Sequence, residues 1–333
     1  MKVALMKEID RLEVVSRPEP VPGPGEVAID IRSVGICGSD AAYLHYGRIG
    51  PWTVERPIVL GHETSGVISA VGNDVEDLAV GQRVAVEPGI SCRRCTQCRR
   101  GDYHLCPNLV FLATPPHDGC LAERIVIDAA CANPIPDSMS YDEAALVEPA
   151  SVGLWAAQRA GLLPGESVLV VGAGPVGLLA ALTAKALGAG RVKIRDVSKH
   201  RLGVARRCGL DIDPPDASER DADVMIECSA NEKALVAGLR RLRPGGRAAL
   251  VGVPKTELVG LPLAESVPFE ISVLLVHRYA HTWPAVIDLI ASGRVPTEHL
   301  ISHHFDLDEV AQAFATQRDD DSAVKVMIHP TTA

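Results

Sequence analysis

The feature that most restricts what this chain can fold into is an apolar run, residues 168–171, that feeds straight into Gly172-Ala-Gly174-Pro175-Val176-Gly177 and then into a helical pattern. A small-residue turn alone is common. Set between a strand and a helix, with an acidic residue closing the next strand, it specifies a dinucleotide-binding unit. Gly172 permits the tight turn, Gly174 lets a pyrophosphate approach the backbone, and Gly177 lets the helix pack close to the strand. A helix that begins at Pro175 and Val176 offers free N–H groups and partial positive charge to the phosphates. Asp196 follows Gly174 by 22 residues. There its carboxylate can accept from ribose hydroxyls and repel a 2′-phosphate, so NAD is expected over NADP. Arg195, Lys199 and Arg201 lie near enough in sequence to offset that repulsion. Arg201 is kept as a cofactor-side residue, and Lys199 reads as surface helix.

Around this unit apolar strands (168–171, 192–196, 223–227, 248–253) alternate with helical segments (175–187, 199–207, 232–242). That order predicts a parallel α/β sheet. One crossover is short. Residues 208–223 leave room for a strand at 210–212 and a turn, whereas parallel strands normally need a dozen or more connecting residues. A reduced crossover would leave one sheet face less covered, which suits Lys193 and Arg195 in a strand otherwise expected to be buried.

Before residue 150 the character differs. Short alternating runs (Val27, Ile29, Ile31; 58–60; 67–68; 84–86) are broken by Gly, Pro and Asp, which predicts an irregular, mostly β domain. A tail carries helices at 284–291 and 307–316 and a last strand at 323–328. A length of 333 residues exceeds one ordinary core. The expected division is 1–150 with a lobe at 88–108, then 151–285, then 286–333.

Lys plus Arg total 33 against 42 Asp plus Glu, a formal charge of −9. That balance disfavours nucleic acid or an anionic membrane as partner. No stretch reaches the ~20 apolar residues of a membrane span, and the N-terminus lacks a secretory apolar core. A cytoplasmic protein is expected, with its nine cysteines reduced. Four of them, Cys92, Cys95, Cys98 and Cys106, fall in one polar, Arg-rich loop. Four thiolates make a closed tetrahedral zinc site of the structural kind. A second set is dispersed: Cys37 with Ser39 and Asp40, then Gly61-His62-Glu63 and Gly66, then Glu148. One thiolate, one imidazole and carboxylates suit a catalytic zinc with an open position. Taken alone, His62 reads as a structural histidine; its flanking glycine and Glu63 favour a ligand.

These residues resemble the zinc-dependent medium-chain dehydrogenases, and among them the sorbitol and xylitol dehydrogenases. The resemblance spans nearly the whole chain and is carried by Gly61-His-Glu with Gly66 and Gly72, Tyr46-Gly-Arg-Ile-Gly50, Ala113-Thr-Pro-Pro116, Glu148-Pro-Ala-Ser-Val152, Ile226-Glu-Cys228, Arg278-Tyr279 and Thr282-Trp-Pro284. It implies a GroES-like catalytic domain, a doubly wound Rossmann cofactor domain and an active site in the cleft between them. Two zinc ions per chain follow: one catalytic, held by Cys37, His62 and Glu63 with Glu148 beside its water, and one structural. Ser39, Tyr43, Phe111, Thr114, Arg278 and Tyr279 match positions of substrate or proton handling. The implied reaction passes a hydride from a secondary hydroxyl of a polyol to NAD, in a homodimer or homotetramer.

Some residues depart from that family. Ala42 stands where many relatives carry a histidine linked to proton release, so the relay falls to Ser39 and water. His45 is then either a replacement carrier or an exposed loop histidine. The apolar stretch 268–276 suggests a strand at a subunit contact. The alternatives are a threonine-type or simple secondary-alcohol dehydrogenase, or a dinucleotide-binding protein without catalysis.

Overall fold

The computed structural model describes residues 1–254 and 256–330. They form two units, one of Met1–Glu148 completed by the segment from Ile301, the other Pro149–Leu300.

The first unit is mostly β, and its hub is the strand Glu26–Gly35, whose Val27, Ile29, Ile31 and Val34 are fully buried. Glu63–Val71 pairs antiparallel along one side. The other side is shared: Arg124–Asp128 covers the first half and Lys325–His329 meets Val34 and Gly35 at the end. The sheet continues through Arg83–Val86 and Ala132–Pro134 on one flank and Ile301–Asp306 on the other. The strand near the C-terminus is therefore an interior strand of a sheet begun near residue 26. Phe314 from the helix Val310–Asp319 and Ile328 join the same apolar core.

The second unit is the parallel sheet that the alternation predicts. Its six strands run in the order Asp211–Ile212, Arg191–Arg195, Ser167–Val171, Ala222–Glu227, Leu242–Leu250, Ser272–Leu275, and every pairing is parallel. Ser167–Val171 is central, and the order reverses beside it, the switch point at which such sheets bind ligands. The helices Pro175–Ala186 and Lys199–Arg207 lie within a residue of expectation.

The shortened crossover is present. Among the described residues no helix lies between Ile212 and Ala222. Charge fills the space instead. Arg241, 2% exposed, donates through Nη1 to both oxygens of Asp213 at 2.9 and 2.7 Å. Lys193 Nζ reaches Asp221 at 2.8 Å, and Arg195 Nε lies 3.4 Å from Asp213. Strand cations that are odd by composition are thus partners in a buried ion network.

Three expectations shift. The chain returns to the first unit at Ile301 rather than 286; the segment between stays with the second unit, where Arg294 donates to the Ala186 carbonyl that ends a helix. The helix from Glu232 stops at Leu239, and the following strand begins at Leu242, pairing Ala222, because Arg241 is held between them by its carboxylates. The apolar stretch 268–276 gives strand only over Ser272–Leu275. Pro268 lies in a 3-10 turn and Glu270 turns left-handed at φ 50°.

Replacing Arg241 with Ala should destabilise the second unit by about 3 kcal/mol, the lower end for breaking a buried pair, since Lys193 and Arg195 still face Asp213. Denaturant unfolding measures this; a change within the noise would show that Arg241 contributes little.

Candidate functional site

The register of the hub strand assembles the first set of candidate residues. Gly35 lies opposite Glu63 across one pair and opposite Met327 across the other. A Cβ on Gly35 would sit 2.3 Å from Glu63 Oε2, so only glycine lets that carboxylate pass. Two residues on, Cys37 caps the helix Gly38–Tyr46. Sulfur, imidazole nitrogen and carboxylate oxygen of Cys37, His62 and Glu63 lie within 4.8 Å of one another.

Two further residues fix these three. Asp40, 1% exposed, accepts from the backbone N–H of Cys37 at 3.0 Å and of Gly61 at 2.9 Å, and its Oδ1 lies 3.4 Å from His62 Nδ1. It ties the thiolate turn to the imidazole turn. Lys325, also buried, donates from Nζ to Glu63 Oε2 at 2.6 Å and to the Ile36 carbonyl at 3.1 Å. Burial drives the His62 pKa down, but the charges of Asp40 and Cys37 outweigh it and hold it well above the ordinary histidine value. Burial likewise opposes the charge of Lys325, and Glu63 and Cys37 overcome it.

The remaining oxygen tests whether a metal fits. Glu63 Oε1 is buried and has no hydrogen-bond partner among the described residues. An ionised carboxylate oxygen left so is costly, and a divalent cation shared with a thiolate and an imidazole would satisfy it. The donors Cys, His and Glu all suit zinc.

In the lobe, the cysteine sulfurs Cys95–Cys98, Cys92–Cys98 and Cys95–Cys106 are 3.4, 4.0 and 3.9 Å apart. A tetrahedron with Zn–S near 2.3 Å has edges of ~3.8 Å, which these distances bracket, and all nine cysteines are free thiols. Backbone N–H donors from Arg94 and Cys95 hold the Cys92 thiol below its ordinary pKa, while burial pushes Cys106 up.

Near the first set, Phe111 lies 5.8 Å from the His62 ring, centroid to centroid. Ser39 is half-buried and Tyr43 buried, one turn apart on the helix after Cys37. Glu148, buried, opens the helix Val147–Arg159; burial, with Glu148 adding repulsion against the Tyr103 hydrogen bond, raises Glu87 to about 7. Thr114 donates its backbone N–H to the Phe111 carbonyl at 3.1 Å. Arg278 and Tyr279 belong to the second unit; Arg278 has φ 53°, and Tyr279 meets Trp283 edge to face at 6.1 Å. His45 is neither loop nor exposed: it lies within the helix, with Nδ1 2.5 Å from Asp10 Oδ1.

In the second unit Gly172 has φ 99°, and a Cβ on Gly177 would stand 1.8 Å from the Gly172 carbonyl oxygen. Space beside Gly174 is open, and Pro175 and Val176 start the helix. Asp196 accepts from Ala173 N–H at 2.6 Å and Ser198 N–H at 2.8 Å, so it braces the turn while keeping lone pairs for another donor. Arg195 is engaged with Asp213 rather than free beside Asp196. Arg201 takes the Ser198 cap through its backbone N–H.

Asp40 and Lys325 are the residues that sequence reasoning left unassigned. Both gave signals: Asp40 follows Cys37 at the spacing of a helix cap, and Lys325 is a lone cation in an apolar strand.

Residues 23–137 match the alcohol dehydrogenase GroES-like domain and residues 175–292 the zinc-binding dehydrogenase domain. Sorbitol dehydrogenase of Bacillus subtilis is 41% identical over 99% of this chain and 97% of its own, and human sorbitol dehydrogenase 40% over 92% and 89%. An Escherichia coli alcohol dehydrogenase solved with NADH superposes with TM-score 0.90 at 29% identity, covering 99% of both chains.

Replacing Lys325 with Met should leave Glu63 as a buried, unpaired carboxylate. A loss of about 3 kcal/mol is expected in metal-free protein, and a smaller one after zinc loading. Equal losses in paired unfolding curves would exclude a metal at Glu63.

Proposed function

The chain belongs to the zinc-dependent medium-chain alcohol dehydrogenases, and on that premise we propose that it oxidises a secondary hydroxyl of a polyol to a ketone, with NAD as hydride acceptor. The observation that carries the reading is the convergence of Cys37, His62 and Glu63, together with a buried Glu63 oxygen that has no hydrogen-bond partner among the described residues. The sorbitol dehydrogenases among the relatives support a polyol.

Cys37, His62 and Glu63 would hold the catalytic zinc, and the four cysteines of the lobe the structural one. The catalytic ion would supply Lewis acidity that lowers the pKa of the substrate hydroxyl, and NAD the hydride-accepting ring. The protein's part is positioning and proton management. Asp40 fixes the His62 ring, and Lys325 holds one oxygen of Glu63 so that the other is free to ligate. Ser39 takes the hydroxyl proton on Oγ and passes it to solvent, because Ala42 offers no imidazole. Glu148 adjusts the charge near the ion, while Tyr43, Phe111 and Thr114 shape the substrate side. Arg278 and Tyr279 recognise neighbouring hydroxyls; the left-handed backbone at Arg278 is strain of the kind found at functional positions. Gly172, Gly174, Pro175, Val176, Gly177, Asp196 and Arg201 serve NAD, and the pairing of Arg195 with Asp213 favours it over NADP.

The protein is assigned to the cytoplasm, in keeping with its free thiols. It is also assigned to a homo-oligomer, dimer or tetramer. The strand Ser272–Leu275 is an edge strand, with Leu275 76% exposed and Val267 72% exposed. An edge strand with exposed apolar side chains presents unpaired backbone groups that can pair with another chain.

A complete stereochemical set of pentitols and hexitols should contain at least one compound that drives NAD reduction, with loss on chelation and recovery with zinc. A zinc-replete preparation inert toward the whole set overturns the polyol reading, and faster turnover with NADP overturns the Asp196 assignment. Leu275→Asp should lower the mass measured by light scattering; an unchanged mass removes that edge as the contact.

A further inference from the structure

A third cluster of metal-type donors, among the described residues, shares no residue with either zinc set. Asp142, His304 and His329 place a carboxylate oxygen and two imidazole nitrogens within 4.8 Å of one another. His329 Nε2 lies 2.8 Å from Asp142 Oδ1, and His304 Nδ1 lies 3.4 Å from Asp142 Oδ2. The two rings are 5.2 Å apart.

The fold builds this arrangement from three elements. Ile301–Asp306 and Lys325–His329 are adjacent parallel strands, with Asp306 opposite His329 and His304 opposite Met327. Alternation along a strand puts His304, Asp306 and His329 on one face. Asp142 comes from the short helix Tyr141–Ala145, whose backbone is set by the Ser140–Glu143 capping box. Its Oδ1 also accepts from Ser33 Oγ at 2.5 Å on the hub strand, so the carboxylate is oriented before any ion arrives. The Asp142 side chain is 20% exposed, His329 33% and His304 52%, a gradient from anchored to open.

We infer that Asp142, His304 and His329 form a third, exchangeable site for a borderline divalent cation of the zinc, cobalt or nickel class. Two imidazoles and one carboxylate match that class, whereas calcium and magnesium demand mostly oxygen donors. Three protein donors leave the outer positions to water, and the exposure of His304 makes the site reversible. Asp306 adds negative charge beside His329, which favours a cation there. An ion bound here cross-links the penultimate strand, the last strand and the helix at 141–145, and so fastens the returning segment to the body of the first unit.

The inference stands apart from the catalytic reading, because its readout is the difference in metal between proteins rather than turnover. Enzyme saturated with zinc and dialysed against a weak chelator is titrated calorimetrically with zinc at about pH 8, above the ordinary histidine range. One additional equivalent per chain is expected, weaker than those already retained. His304→Ala and His329→Ala, each checked for the same retained zinc as the parent, should weaken that step at least ~10-fold. Excess zinc should raise the melting temperature of the parent by about 2–4 °C and not that of His329→Ala. Absence of an additional equivalent overturns the site, and so does a step that both variants keep unchanged.

Discussion

The first unit turns on one buried ion pair. Lys325 and Glu63 are 262 residues apart in sequence, and their charged atoms meet at 2.6 Å with both side chains essentially sealed from solvent. Neither charge is tolerable there alone. The pair therefore obliges the end of the chain to return, and the strand that brings Lys325 is the one that fills the sheet beside Gly35. Once it is in place, Glu63 is left with one oxygen committed to the lysine and one without a hydrogen-bond partner among the described residues. A group that stabilises the fold thus leaves a ligand atom in waiting.

The second unit meets a comparable demand differently. Its central strand and the glycine turn need close backbone approach, and the carbonyl of Gly172 lies where any side chain at 177 would clash. Asp196 serves the turn twice, by accepting two of its backbone N–H groups and by remaining able to accept more. The missing crossover helix is replaced by Arg241, Asp213, Asp221, Lys193 and Arg195. Their network engages Arg195, the residue before Asp196, with Asp213.

Among the described residues, metal-type donors cluster in three parts of the first unit, each with a different degree of enclosure. The lobe cysteines all fall between Cys92 and Cys106 in sequence and converge without a distant segment. The Cys37 set is buried and depends on distant supports. The Asp142 cluster is partly open and joins two neighbouring strands to one short helix. Enclosure decides how readily each could exchange an ion, because a ligand set that water can reach is also one that water can replace.

Much of the fold was legible in the sequence because it is locally encoded. Residues 168–177 carry their strand, turn and helix within ten positions, the four cysteines declare a cluster by spacing, and the stretch between Cys208 and Asp223, once it holds a short strand, leaves hardly any room for a full crossover helix. That Cys37, His62 and Glu63 would come together was also readable, through the glycines beside them and a family resemblance. What the sequence could not give was partnership across distance. That Lys325 completes Glu63, that Asp40 steadies His62, that His45 answers to Asp10, and that His304, His329 and Asp142 converge all depend on strand register and on a chain that returns at Ile301. Spacing along a chain fixes local geometry; only the closed sheet decides which remote charges must neutralise one another.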